Sequence, residues 1–98
     1  MDADDSDARL GALMQCAQVG KTAAYDELLR LSVPIITRVV RPHYHTDVEI
    51  DNAVQDVLLA VHSVRHTYSP DRPFTPWLVS ISRHRVKDTH RGGKFLKN

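Results

Sequence analysis

In Thr46-Asp-Val-Glu-Ile-Asp-Asn-Ala-Val-Gln-Asp-Val-Leu-Leu-Ala-Val-His-Ser-Val64 the apolar residues fall on a helical beat. Ile50, Ala53, Val54, Val57, Leu58, Val61 and Val64 keep i, i+3, i+4, i+7 spacing without a miss, which predicts an amphipathic α-helix. Thr46 and Glu49 stand at the spacing of a capping box, each side chain satisfying a backbone donor of the first turn. The opposite face carries Asp51, Asn52, Gln55, Asp56 and Ser63.

Working outward, the flanking segments are helical as well. Leu10, Leu13, Met14 and Ala17 share one face of a helix expected from about Asp7 to Val19, with Ser6 as N-cap and Gly20 just past its end. Thr22 is expected to cap a second helix over Ala23 to Arg41, with Leu28, Leu31, Ile35, Val39 and their neighbours on its apolar side. Pro34 falls inside that helix, removes a backbone donor, and is expected to kink or split it. Downstream, the prolines and the Ser-Pro-Asp turn of His66-Thr-Tyr-Ser-Pro-Asp-Arg-Pro73 predict a stiff loop. A fourth helix then opens with Thr75 as N-cap and Pro76 at its first position, and buries Phe74, Trp77, Leu78 and Ile81. Beyond Ile81 the apolar stripe stops, and Arg83, His84, Arg85, Lys87, His90 and Arg91 predict a basic, solvent-facing helix end, closed by Gly92-Gly93. The expected fold is all-α, a compact bundle of about four helices with the second kinked at Pro34. Residues 1–6 read as a disordered acidic leader, 7–91 as the domain, and 92–98 as the start of a linker.

The net charge of +1 conceals a polarity. Residues 1–64 sum to −5 and residues 65–98 to +6, which suggests a basic partner surface for the front of the chain and a polyanion for the back. Without the aspartates of the leader, residues 8–64 still sum to −1. No apolar run approaches the roughly 18–20 residues of a membrane helix, and the acidic N-terminus lacks the plan of a signal peptide. Cys16 is the single cysteine and sits on an apolar helix face, as a buried structural thiol would. A cytoplasmic protein is expected. His43, His45 and Asp47 could be weighed as metal ligands, but they fall in a short connection with no further donor at helical spacing, so no metal site and no cofactor are expected. No catalytic arrangement is present, so the chain reads as a binding module rather than an enzyme.

The order of these features resembles region 2 of the extracytoplasmic-function group of sigma-70-type sigma factors. The matching residues run from about Leu13 to Arg91. They comprise Ala17-Gln-Val-Gly20 with Ala24-Tyr-Asp-Glu-Leu28, then the Pro-containing helix, then Asn52-Ala-Val-Gln-Asp-Val-Leu-Leu59, and last Tyr68-Ser-Pro-Asp-Arg-Pro-Phe-Thr-Pro-Trp-Leu-Val-Ser-Ile-Ser-Arg83. The family's third block reads Asp-Leu-Val-Gln-Glu-Val-Phe-Leu, so Asn52 departs from its usual Asp and puts one charged contact in doubt.

The resemblance implies two surfaces. One docks on the clamp helices of the polymerase β′ subunit through Asp51, Asn52, Gln55, Asp56, Leu59 and His62. A carboxylate-and-amide face bordering Leu59 suits this chemistry, because it can pair with partner arginines and still bury apolar area. The other recognises and melts the promoter −10 element on the single-stranded non-template strand. There the loop residues His66, Thr67, Tyr68, Ser69, Asp71 and Arg72 would capture a flipped base, while Arg83, His84, Arg85, Lys87 and Arg91 meet backbone and neighbouring bases. For Tyr68 two readings stay open, core packing beneath the loop or contact with a base; for Trp77 core packing is expected. The resemblance also implies an anti-sigma factor as partner, and a helix-turn-helix region 4 beyond residue 98, so the chain reads as a fragment of a longer protein. The alternatives are a sigma-like module that binds polymerase or an anti-sigma factor without reading DNA, and a small metal-dependent enzyme built on the histidines.

Overall fold

A computed structural model describes the backbone of residues 2–96 and the side chains of residues 6–90. The described residues form four α-helices and no strand: α1 (Asp2–Gln18), α2 (Thr22–Val40), α3 (Asp47–Val64) and α4 (Phe74–Leu96). Single 3-10 turns, Arg41–His43 and Arg65–Thr67, follow α2 and α3. The all-α, four-helix fold expected from the sequence is the one observed.

Helix α3 keeps its sequence reading in detail. Glu49 N donates to Thr46 Oγ1 at 3.1 Å, and Glu49 Oε1 accepts from the amides of His45 (2.8 Å) and Thr46 (3.0 Å), so the capping box is complete. Those two amides hold the Glu49 carboxyl below its ordinary pKa. Ile50, Ala53, Val54, Val57 and Val61 are buried, with Leu58 packed on the core edge. Gly20 ends α1 as expected, at φ +94°, with Lys21 N bonded to Cys16 O and Gly20 N to Ala17 O. That pair of bonds closes a Schellman turn, which needs the left-handed conformation glycine adopts freely.

The other helix limits differ from the sequence reading. Helix α1 begins at Asp2, so Ser6 lies inside it rather than capping it. Thr22 is the first residue of α2 and Lys21 is the N-cap, with no side-chain cap bond. Pro34 does not split α2, which runs unbroken to Val40. It stands on the exposed face of the helix. Helix α4 continues through Gly92 and Gly93 to Leu96.

The core gathers Leu10 and Met14 of α1, Leu28, Ile36 and Val40 of α2, the α3 stripe, and Tyr68, Phe74, Leu78 and Val86. On α2 the buried line is Leu28, Ser32, Ile36 and Val40, while Leu31 is 38% exposed. So many residues of α2 are apolar that periodicity did not single out its inner face. On α4 the buried face does not stop at Ile81, for Ser82 and Val86 continue it. Ser32 and Ser82 each turn the hydroxyl back to the carbonyl four residues earlier, at 2.8 and 2.9 Å. This satisfies the buried polar group locally and leaves a small side chain on each of two packed helices.

Candidate protein- and nucleic-acid-binding surfaces

The edge of α3 turned away from the core presents Asp51, Asn52, Gln55, Leu59 and His62, all exposed. Leu59 is 68% exposed, a large apolar side chain beside a carboxylate and two amides. Among the described residues, Asp51, Asn52 and Gln55 take no part in side-chain hydrogen bonds or ion pairs within the fold. His62 is anchored from behind: its Nδ1 lies 2.7 Å from Tyr25 Oη on α2. Burial pushes the Tyr25 hydroxyl above its ordinary pKa against the nearby charge of Arg65. Nothing local in the sequence joins two residues 37 positions apart, so the Tyr25–His62 contact was not foreseen.

Asp56 and Arg85 were expected on two different surfaces, and the structure pairs them with each other. Arg85 Nε and Nη2 donate to Asp56 Oδ2 and Oδ1 at 2.9 and 3.0 Å. Asp88, one turn further along α4, lies 3.6 Å from the same guanidinium. The hydrogen bond from Arg85 to Asp56 raises the Arg85 pKa against the opposing effect of burial, and the charges of Asp56 and Asp88 add to it. An open groove of about 460 Å³ runs beside the pair between α3 and α4, with Leu59, Val64 and Ile81 among its lining.

The loop between α3 and α4 is held by α1. Gln18 Nε2 donates to the carbonyls of Arg65 and Tyr68, each at 2.9 Å. Asp7 accepts from Phe74 N (3.1 Å) and Thr75 N (2.6 Å), and so caps α4 from another helix. The expected cap at Thr75 is corrected accordingly. Burial pushes the Asp7 carboxyl up, but the Thr75 amide and hydroxyl and the Phe74 amide outweigh it, and its pKa lies below the ordinary value. Between these two points Gly11 faces Tyr68 so closely that a Cβ there would stand 2.9 Å from Tyr68 Oη.

Tyr68 belongs to the core. It is 4% exposed, its hydroxyl donates to Arg72 O at 2.6 Å, and its ring meets those of Phe74 and Trp77 edge-on at 5.4 and 5.3 Å. Of the two readings for Tyr68, the one that offers its ring to a base is therefore corrected. His66, Thr67, Asp71 and Arg72 are exposed, and Ser69 is half-buried. Thr67 Oγ1 is turned back to Val64 O at 2.7 Å. Along α4, Arg83, His84 and Lys87 are exposed. The Arg91 side chain lies outside the described residues. Trp77 packs against the core, as expected.

The described residues thus form a four-helix domain with an acid-and-amide edge on α3 and a braced loop leading into a cationic stretch of α4. Residues 25–95 match the family model of sigma-70 region 2, and the chain belongs to that family. It is 35% identical over 92 residues to the extracytoplasmic-function RNA polymerase sigma factor SigF of Caulobacter vibrioides, covering 93% of this chain and 51% of the relative. It is 28% identical over 91 residues to the RNA polymerase sigma factor CnrH of Cupriavidus metallidurans, covering 93% and 46%. It is 33% identical over 88 residues to the extracytoplasmic-function sigma factor SigD of Mycobacterium tuberculosis, covering 85% and 42%. The chain spans about half the length of these curated relatives. No solved structure matches significantly. Among the described residues no helix is long and apolar enough to cross a membrane.

Proposed function

We propose that this domain binds core RNA polymerase through the outer edge of α3 and the promoter −10 element through the loop and the cationic stretch of α4, in transcription initiation. The observation that carries the reading is the unpartnered α3 edge, where Asp51, Asn52 and Gln55 border a largely exposed Leu59. Such an edge can exchange charge-assisted hydrogen bonds with arginines of a partner helix and bury leucine surface in the same contact. The polymerase β′ clamp helices are the partner proposed for it. The DNA half rests on a stiff loop, exposed polar groups at His66, Thr67, Asp71 and Arg72, and the exposed cations Arg83 and Lys87. With Tyr68 in the core, base contact falls to those polar groups, and phosphate neutralisation to the helix. The domain works by binding and breaks no covalent bond. An anti-sigma factor that covers either surface is the expected regulator.

The test is binding of the 98-residue chain to a β′ clamp-helix fragment. The double substitution Asp51→Lys, Gln55→Lys leaves the Asp56–Arg85 pair intact and removes only the outer edge. It should weaken binding by at least roughly tenfold with an unchanged melting temperature. Equal affinities for variant and parent would remove the assignment of this edge. A single-stranded −10 oligonucleotide bound no better than a scrambled one would reduce the domain to a protein-interaction module.

A further inference from the structure

A second groove, of about 330 Å³, lies between the 3-10 turn Arg41–His43 and the later half of α4, lined by His43, Arg83, His84, Val86 and Lys87. We propose that this groove is a phosphate site for a nucleic-acid backbone, and that His43 extends the DNA-binding surface of α4 onto the connection between α2 and α3. The strand as occupant rests on the DNA half of the function proposed above; the affinity of the groove for phosphate does not.

The charges of α4 are sorted by side. Arg85 faces α3 and is compensated by Asp56 and Asp88. Arg83 and Lys87, one turn apart, face the other way, and neither enters an ion pair among the described residues. Among the described residues no carboxylate lines the groove. Val86, only 6% exposed, forms an apolar patch beneath the cations, where their field is less screened than in open water. Uncompensated cations over such a patch repel one another in the free domain, and a bound anion relieves that repulsion.

His43 is placed by packing rather than by chance. Its ring stands 6.2 Å from that of His90 on α4, edge-on, and Tyr44 meets the same His90 ring at 5.4 Å. These contacts hold the turn after α2 against α4 and set the imidazole opposite Arg83 and Lys87. A guanidinium, an ammonium and imidazole N–H groups together suit the several acceptor oxygens of a phosphate. The groove is open at the surface, so a chain of phosphates can pass through it. From Thr75 to Lys87 the helix rises about 18 Å, and roughly five nucleotides of a stacked strand cover that distance at ~3.4 Å each. A strand held at the loop is therefore within reach of the groove. Phosphate contacts carry no base information, so His43 sets register and affinity rather than sequence preference.

Fluorescence anisotropy of labelled single strands with the 98-residue chain tests this. His43→Ala should weaken a −10 strand and a homothymidine strand alike, by roughly two- to fivefold. His43→Glu should weaken both by roughly tenfold, and His43→Arg should restore parental affinity or exceed it. The slope of log affinity against log salt should fall by about 0.7 in Lys87→Ala, the loss of one neutralised phosphate, and by less in His43→Ala, where a hydrogen-bond donor is removed. His43→Ala and His43→Glu proteins that melt like the parent and bind both strands unchanged would overturn the proposal. If the parent shows no preference for the −10 strand but His43→Glu still weakens both strands, the phosphate site stands and sequence reading falls. Inorganic phosphate that displaces the strand at equimolar concentration would overturn the strand as occupant in favour of a free anion.

Discussion

Asp7 and Gly11 show how much of the loop proposed to meet nucleic acid depends on residues remote from it. The Asp7 carboxylate caps α4 across 67 positions of sequence. A cap of this kind contributes about 1 kcal/mol relative to alanine; asparagine keeps one of the two acceptor oxygens and loses the charge, so Asp7→Asn should lower the unfolding free energy at neutral pH by part of that amount, read by urea denaturation. The pH dependence follows from the lowered pKa. The contribution is complete above the unfolded aspartate pKa, near pH 4, and disappears as pH falls through the lower folded value. Parent and Asp7→Asn curves should therefore converge in acid. Curves that stay parallel down to about pH 2 would contradict the capping role. At Gly11 an added methyl meets the Tyr68 hydroxyl, whose hydrogen bond to Arg72 O shapes the loop. Gly11→Ala should cost about 1–3 kcal/mol by overpacking, less any gain in helix propensity. The Tyr68 ring resonances should shift, and an unaltered Tyr68 spectrum would show that the seam is looser than its geometry.

At the scale of elements, the Asp56–Arg85 pair joins the edge assigned to polymerase to the helix assigned to DNA. About a third of each side chain is exposed, so solvent screens the pair and Asp56→Asn should change stability by less than about 1 kcal/mol. Its effect on binding should be larger than its effect on folding. With Asp56 neutral, Arg85 keeps only the longer contact with Asp88, so more of its charge is available to a phosphate; affinity for single-stranded DNA should rise by up to a few-fold, a gain that Arg85→Ala abolishes. A docked partner whose own arginine takes Asp56 would release Arg85 in the same way. Unchanged DNA affinity in Asp56→Asn would show the pair to be no more than a brace between α3 and α4.

For the whole molecule, α1 lies outside the residues that match the family model, yet the fold depends on it. It supplies Leu10 and Met14 to the core, and Asp7 and Gln18 to the loop. Loss of two such core side chains costs about 2–5 kcal/mol each, against a total near 5–15 kcal/mol for a domain. A chain that starts at Lys21 should therefore lose its cooperative thermal transition by circular dichroism. A sharp transition near the parental temperature would mean that α2 to α4 form a self-sufficient core.

The sequence by itself determined four helices, the capping box at Thr46 and Glu49, the glycine stop at Gly20, the α3 stripe and the polar outer face at Asp51, Asn52 and Gln55. Each of these is written in neighbours within a turn or two, where helical spacing and backbone hydrogen bonds translate directly into structure. The inner face of α2 and the continuation of the α4 core to Ser82 and Val86 were decided only by packing, because a mostly apolar helix has no unique inside and a serine is read as polar until its hydroxyl is satisfied. The Asp7 cap, the burial of Tyr68 and the Asp56–Arg85 pair were likewise tertiary outcomes. They join residues that become neighbours only when helices cross, and no local periodicity records which carboxylate will meet which donor.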